Sequence, residues 1–151
     1  TVADVRPDAV DAMVERYGAV PVAPEQAHTV PCDIFAPCAL GAILNDETIP
    51  QLKARIVAGS ANNQLAEPRH GDMLRDRGIL YAPDFIINGG GVINVYHELL
   101  PGGYDREKAL ARVAKIRDQV AEAIQLAEER GISTADAAME LAERRLAAAD
   151  A

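Results

Sequence analysis

The chain of 151 residues is 49% apolar and 25% charged, one domain's worth of sequence with enough apolar content to bury a core. Its net charge of −8 excludes nucleic acid or an anionic membrane as the main partner. The apolar runs are too short to span a bilayer, and no signal-peptide pattern opens the sequence.

In chain order, residues 1–4 read as a strand and Pro7 opens a helix, where its missing N–H does no harm. Val10, Met13, Val14 and Tyr17 form one apolar face of that helix, and Gly18 stops it. Residues 19–20 suit a short edge strand, since Pro21 cannot feed a central ladder, and residues 25–28 a helical turn. Residues 32–37 form the next strand, ending in the small residues 38–42. Asn45 or Asp46 caps a short helix through Leu52. Residues 55–58 are a strand leading into residues 59–65, where small residues surround two adjacent amides, Asn62 and Asn63. A helix over 67–77 ends at Gly78.

Residues 79–81 and 84–87 read as one final strand interrupted by Pro83, ending in Asn88 and three glycines. Helix resumes over 92–100 and breaks at residues 101–103. Asp105 caps a long helix that carries Leu110, Val113, Ile116, Val120, Ile124 and Ala127 on one side and closes at Gly131. Residues 133–136 form a capping box with Asp136 in place of glutamate, opening a final helix rich in alanine and leucine. Strands and helices alternate over the first two-thirds, and the last third is helical. The pattern predicts an α/β fold with a doubly wound, Rossmann-like parallel sheet. Residues 1–91 would be the partial nucleotide-binding unit, lacking its first strand and glycine-rich loop, and 92–151 a helical segment packed on it.

Cys32 and Cys38 are the two cysteines. With extended chain between them they stand roughly 20 Å apart and cannot pair. No zinc-type spacing links them to His28, His70 or His97, so a reduced, cytoplasmic, metal-free chain is expected.

In an open α/β sheet, ligands sit beyond the carboxyl ends of strands. Three such loops, 38–42, 59–64 and 88–91, share small, amide-bearing composition, and together they describe a cofactor groove. Asn62 and Asn63 offer donors and acceptors that suit a carboxamide such as nicotinamide's; the other reading is an Asx-rich turn. Asp4, at the end of a strand, is placed to accept hydrogen bonds from a ribose, or to cap the helix at Pro7. Arg6 stacks on adenine or is a solvated loop charge. Val92 and Val95 face one way, as core or as the wall of an apolar side-chain pocket with no nearby cation. Lys53, Lys108 and Lys115 all fall on predicted helices, without the surroundings of a desolvated catalytic amine.

Residues 33–41, 59–65 and 81–95 resemble the glutamate/leucine/phenylalanine/valine amino-acid dehydrogenase family, and within it the leucine-acting enzymes most nearly. The resemblance covers nearly the whole chain. It implies NAD as cofactor and oxidative deamination of L-leucine and other branched-chain L-amino acids to 2-oxo acids, with phenylalanine or valine as other substrates. It further implies a homo-oligomer when full length, with no nucleic-acid or membrane partner. Position by position, Asp4 matches the ribose-binding acid, and Cys38 and Ala39 match residues on the adenosine side of the groove. Ala61, Asn62 and Asn63 match the nicotinamide-side loop, Asn88 another cofactor contact, and Val92 and Val95 the substrate side-chain pocket. Nothing matches the family's catalytic lysines and aspartate, which lie in its other domain, and the glycine fingerprint that should precede Asp4 is absent. The isolated 151 residues are therefore expected to be inactive and to bind NAD weakly. Two other readings are a non-catalytic nucleotide-binding or oligomerisation module, and a domain for an apolar ligand.

Overall fold

The computed structural model describes residues 1–149. Three short strands, β1 (Ile34–Phe35), β2 (Ile56–Val57) and β3 (Leu80–Tyr81), form a parallel sheet in that order. Ile34, Ile56 and Leu80 stand side by side, as do Phe35, Val57 and Tyr81. Parallel neighbours require crossovers. One is the loop ending in a 3-10 turn at Ile49–Gln51, and the other contains α2 (Arg69–Asp76). Helix α1 (Pro7–Tyr17) precedes the sheet; α3 (Asp84–Ile87), α4 (Gly90–Glu98), α5 (Arg106–Ala114), α6 (Ile116–Arg130) and α7 (Thr134–Ala149) follow it. The result is the predicted α/β architecture.

Leu44, Ile49, Leu52, Val57, Leu74, Ile79 and Tyr81 make one core, joined by Ala135 from α7. A second lies between α6 and α7, where Ala123, Ala127, Ala137 and Ala138 let the two helices approach and Leu126 and Leu141 fill the seam. Gly131 (φ 67) turns the chain between them, in the left-handed region that glycine occupies at little cost. Half of the capping box forms: the Asp136 N–H donates to Ser133 Oγ at 3.1 Å, while the Asp136 carboxylate takes the Ser133 hydroxyl at 2.7 Å rather than the Ser133 backbone N–H. The Thr134 hydroxyl donates to the Tyr81 carbonyl at 2.6 Å, tying the start of α7 to β3.

Several elements differ from expectation. Residues 84–87 are helix: the N–H groups of Ile86 and Ile87 turn back to the Pro83 carbonyl, at 3.0 and 3.1 Å. The first strand shrinks to a single bridge between Val2 and Pro21. Proline is tolerated there because Val20 O and Val22 N–H make the bonds to Val2, at 2.9 and 3.0 Å. The long helix after Asp105 is two, α5 and α6, divided at Lys115, whose N–H bonds to the Arg112 carbonyl three residues back. Asp105 caps α5 by accepting from the Lys108 N–H at 3.1 Å. Asn45, through Oδ1, accepts the N–H groups of Glu47 and Thr48, but a turn and a 3-10 segment follow rather than α-helix. Lys53 lies outside any helix. Cys32 and Cys38 are both free thiols.

Candidate functional site

The loops at the carboxyl ends of β1 and β2 are locked together by their backbones. Ala61 N–H donates to Pro37 O at 3.0 Å, Ala42 N–H to Asn63 O at 2.7 Å and Leu44 N–H to Gln64 O at 2.9 Å. The approach is so close that a Cβ on Gly59 would lie 2.0 Å from the Pro37 carbonyl oxygen. From inside, the fully buried Gln64 amide donates to the carbonyls of Gly59 and Ala61, at 2.7 and 3.0 Å. Two non-glycine residues among those described have positive φ, Ala42 (58°) and Asn63 (52°), and they are partners in the bond just described. Such backbone persists only where its surroundings over-determine it, and it clusters at functional sites.

The third loop, after β3, closes the site. Asp84 on α3 is 7% exposed; one carboxylate oxygen accepts the Asn63 N–H at 2.6 Å and the other the Tyr81 hydroxyl at 2.6 Å. Burial, with that carboxylate as second cause, pushes the Tyr81 phenol well above its ordinary range, so it remains a donor. Asn88, one helical turn after Asp84, donates its side-chain N–H to Asn62 Oδ1 at 2.6 Å. Asn62, Asn63 and Asn88 line one cavity of about 870 Å³ together with Phe85, Val92 and Ile116. Arg112, Lys115 and Arg145 line it too. Arg145 pairs with Glu122 at 2.6 Å, and the Arg112 guanidinium lies over the Tyr96 ring.

The sequence profile of glutamate/leucine/phenylalanine/valine dehydrogenases matches residues 3–151. The chain belongs to this dehydrogenase family. It is 56% identical over 146 residues to leucine dehydrogenase of Bacillus cereus, covering 97% of this chain and 39% of that protein. It is 49% identical over 153 residues to valine dehydrogenase of Streptomyces albus, covering 99% of this chain and 42% of that protein. The crystal structure of L-tryptophan dehydrogenase from Nostoc punctiforme superposes with a TM-score of 0.94 at 47% identity, over 99% of this chain and 45% of that one. The chain thus spans about two-fifths of the length of these relatives.

Within this member of the family the residues singled out from the sequence fall in distinct places. Asn62, Asn63, Asn88 and Val92 meet at the cavity; Asp4, Cys38, Ala39, Ala61 and Val95 are not among its lining. Cys38 and Ala39 are exposed on the first loop, while Ala61 is buried next to the Asn pair. Val92 and Val95 are 76% and 54% exposed, which removes the reading of them as core. Asp4 does not cap α1: Arg6 is the N-cap and makes no side-chain cap bond. Instead Asp4 Oδ1 accepts the Arg6 N–H at 2.9 Å in an exposed turn. Arg6 itself forms a solvated pair with Asp8 at 2.7 Å.

Two features escaped the sequence reading. Asp84 follows Pro83, a helix-start cue obscured by the apolar Phe85-Ile86-Ile87 run. The cations on the cavity wall correct the expectation of none near Val92; they come from α5, α7 and the α5–α6 break, and their convergence has no local signature.

Proposed function

We propose that this chain is the cofactor-binding part of a longer, cytoplasmic, oligomeric NAD-dependent dehydrogenase that deaminates leucine and related branched-chain L-amino acids to 2-oxo acids. One observation carries the reading: the loop after β2 and the segment after β3 bring Asn62, Asn63, Asn88 and Val92 to a single cavity, and the loop after β1 is bonded to the back of the first of them. The residues present fit a dinucleotide without a 2′-phosphate. The Asn62 side-chain N–H₂ and the whole Asn63 carboxamide have no hydrogen-bond partner among the described residues, leaving donors and acceptors for a carboxamide. The exposed Asp4 carboxylate suits ribose hydroxyls and repels a 2′-phosphate. NAD, when bound, supplies the hydride acceptor; this chain binds and orients it.

Lys115 is exposed to solvent rather than enclosed in a site, so the reading assigns the amines for the chemistry to the rest of the longer protein. The substrate assignment rests on the exposed apolar pair Val92 and Val95 and on the leucine and valine dehydrogenases among the relatives.

In the complete protein, Asp4→Ala should raise the Michaelis constant for NAD by the equivalent of about 1.5–3 kcal/mol and narrow the preference over NADP. Unchanged constants for both cofactors remove Asp4 from the site. The same protein should turn over leucine, valine or isoleucine far faster than glutamate, and a glutamate preference overturns the substrate assignment.

A further inference from the structure

We infer that Asp84 is a positioning residue: it holds Asn63 in its left-handed conformation and so sets the Asn62–Asn63 amide pair toward the cavity. The inference rests on the cofactor reading above for what the pair binds, but the clamp itself is read from geometry.

Left alone, Asn63 would leave φ 52°, because the left-handed region is unfavourable for a residue with a side chain, even for asparagine. Two bonds oppose that relaxation, the Asn63 carbonyl accepting from Ala42 N–H and the Asn63 N–H donating to Asp84. The second is a charge-assisted type of bond at 2.6 Å, part-buried, to a carboxylate that is itself only 7% exposed. The other oxygen of Asp84 is fixed by the Tyr81 hydroxyl, and Tyr81 is held by the core around it and by Thr134 at its carbonyl. The carboxylate is thus anchored on the rigid side and grips the loop on the other.

The helical form of residues 84–87 matters here. Asp84 and Asn88 are four apart, which on a helical turn puts them about 6 Å from each other on one face. In the expected strand they would be about 13 Å apart. As helix, one face takes both the backbone of Asn63 and the side chain of Asn62. A buried aspartate kept only for α3 would need no bond to a residue 21 positions upstream.

The test uses the complete protein with Asp84→Asn, Asn63→Gly and the double variant. Amide hydrogen exchange is read at residues 61–64, and NAD binding by fluorescence titration. Asp84→Asn should speed exchange at Asn63 at least tenfold while the amides of β2 and β3 keep their protection. It should weaken NAD binding about tenfold in the parent but less than threefold in the Asn63→Gly background, because glycine takes the left-handed conformation unaided. Equal exchange at Asn63, or an equal loss of affinity in both backgrounds, overturns the proposal. Faster exchange in a protein whose parent form does not bind NAD supports the clamp and overturns the cofactor reading instead. If Asp84→Asn does not fold, Tyr81→Phe, which removes one anchor and leaves the carboxylate, carries the same comparison with an expected threefold to fivefold loss; equal losses in the two backgrounds again overturn it.

Discussion

Residues 1–36 and residues 37–149 are built from equally good local signals and end in opposite conditions. In the first region α1 has proline in its first turn, an apolar stripe and a glycine cap, where the N–H groups of Gly18 and Ala19 reach the carbonyls of Val14 and Met13. Yet no residue before Pro37 is buried, and both cores lie after it. Among the described residues Val2 is bridged only to Pro21 and β1 pairs only with β2, leaving Ile34 exposed. Each therefore keeps an open edge. Local chemistry is enough to make an element, but only a facing layer makes it part of a core.

The sharpest way to break this contrast uses one glycine from each region. Gly59→Ala drives a methyl into the Pro37 backbone, which cannot yield without dismantling the loop junction, and should cost about 4 kcal/mol or more. Gly18 has φ 64° but open space around it, so Gly18→Ala should cost only about 1 kcal/mol, the left-handed penalty. Denaturant unfolding of the complete protein measures both. Comparable losses would mean that the first region is as tightly built as the second.

A smaller effect is expected in the chain by itself. Amides of α1 should exchange near the rate of a fraying helix, while those of β2, β3 and α2 approach the global limit. In the longer protein proposed above, α1 should be protected, together with the NAD binding and leucine turnover proposed for that protein. Full protection of α1 in the isolated chain would show that the open edges are already satisfied.

The same contrast explains what was legible in the sequence. Caps and breaks, such as Gly18, Asp105, Gly131 and the Ser133–Asp136 box, act within a few residues and could be read directly. The strand-end loops were legible from composition, and three of their predicted residues share a cavity with Val92. The helical state of residues 84–87 was not, because Phe85, Ile86 and Ile87 favour a strand locally. That state goes with contacts distant in sequence, Asp84 with Asn63 and α3 with α6. Nor could the apolar period across Val113, Ile116 and Val120 disclose a break at Lys115, since the period runs straight through it.

The smallest predicted effect locates strain in the second region. The left-handed position of the first region is filled by glycine, whereas the site keeps Ala42 at φ 58°. An L-residue there costs about 1–2 kcal/mol, which Ala42→Gly should recover. Glycine also has more freedom to lose on folding, an opposing term of about 0.4–1 kcal/mol. The Ala42 methyl is on an exposed residue, so little packing is lost with it, and the bond from its N–H to the Asn63 carbonyl survives the change. The net expectation is a gain of about 0.5–1 kcal/mol in the unfolding free energy of the complete protein. A loss of 1 kcal/mol or more would mean that the methyl is a needed contact and that the loop junction is not strained. A gain accompanied by weaker NAD binding would place that strain in the service of the Asn63 loop.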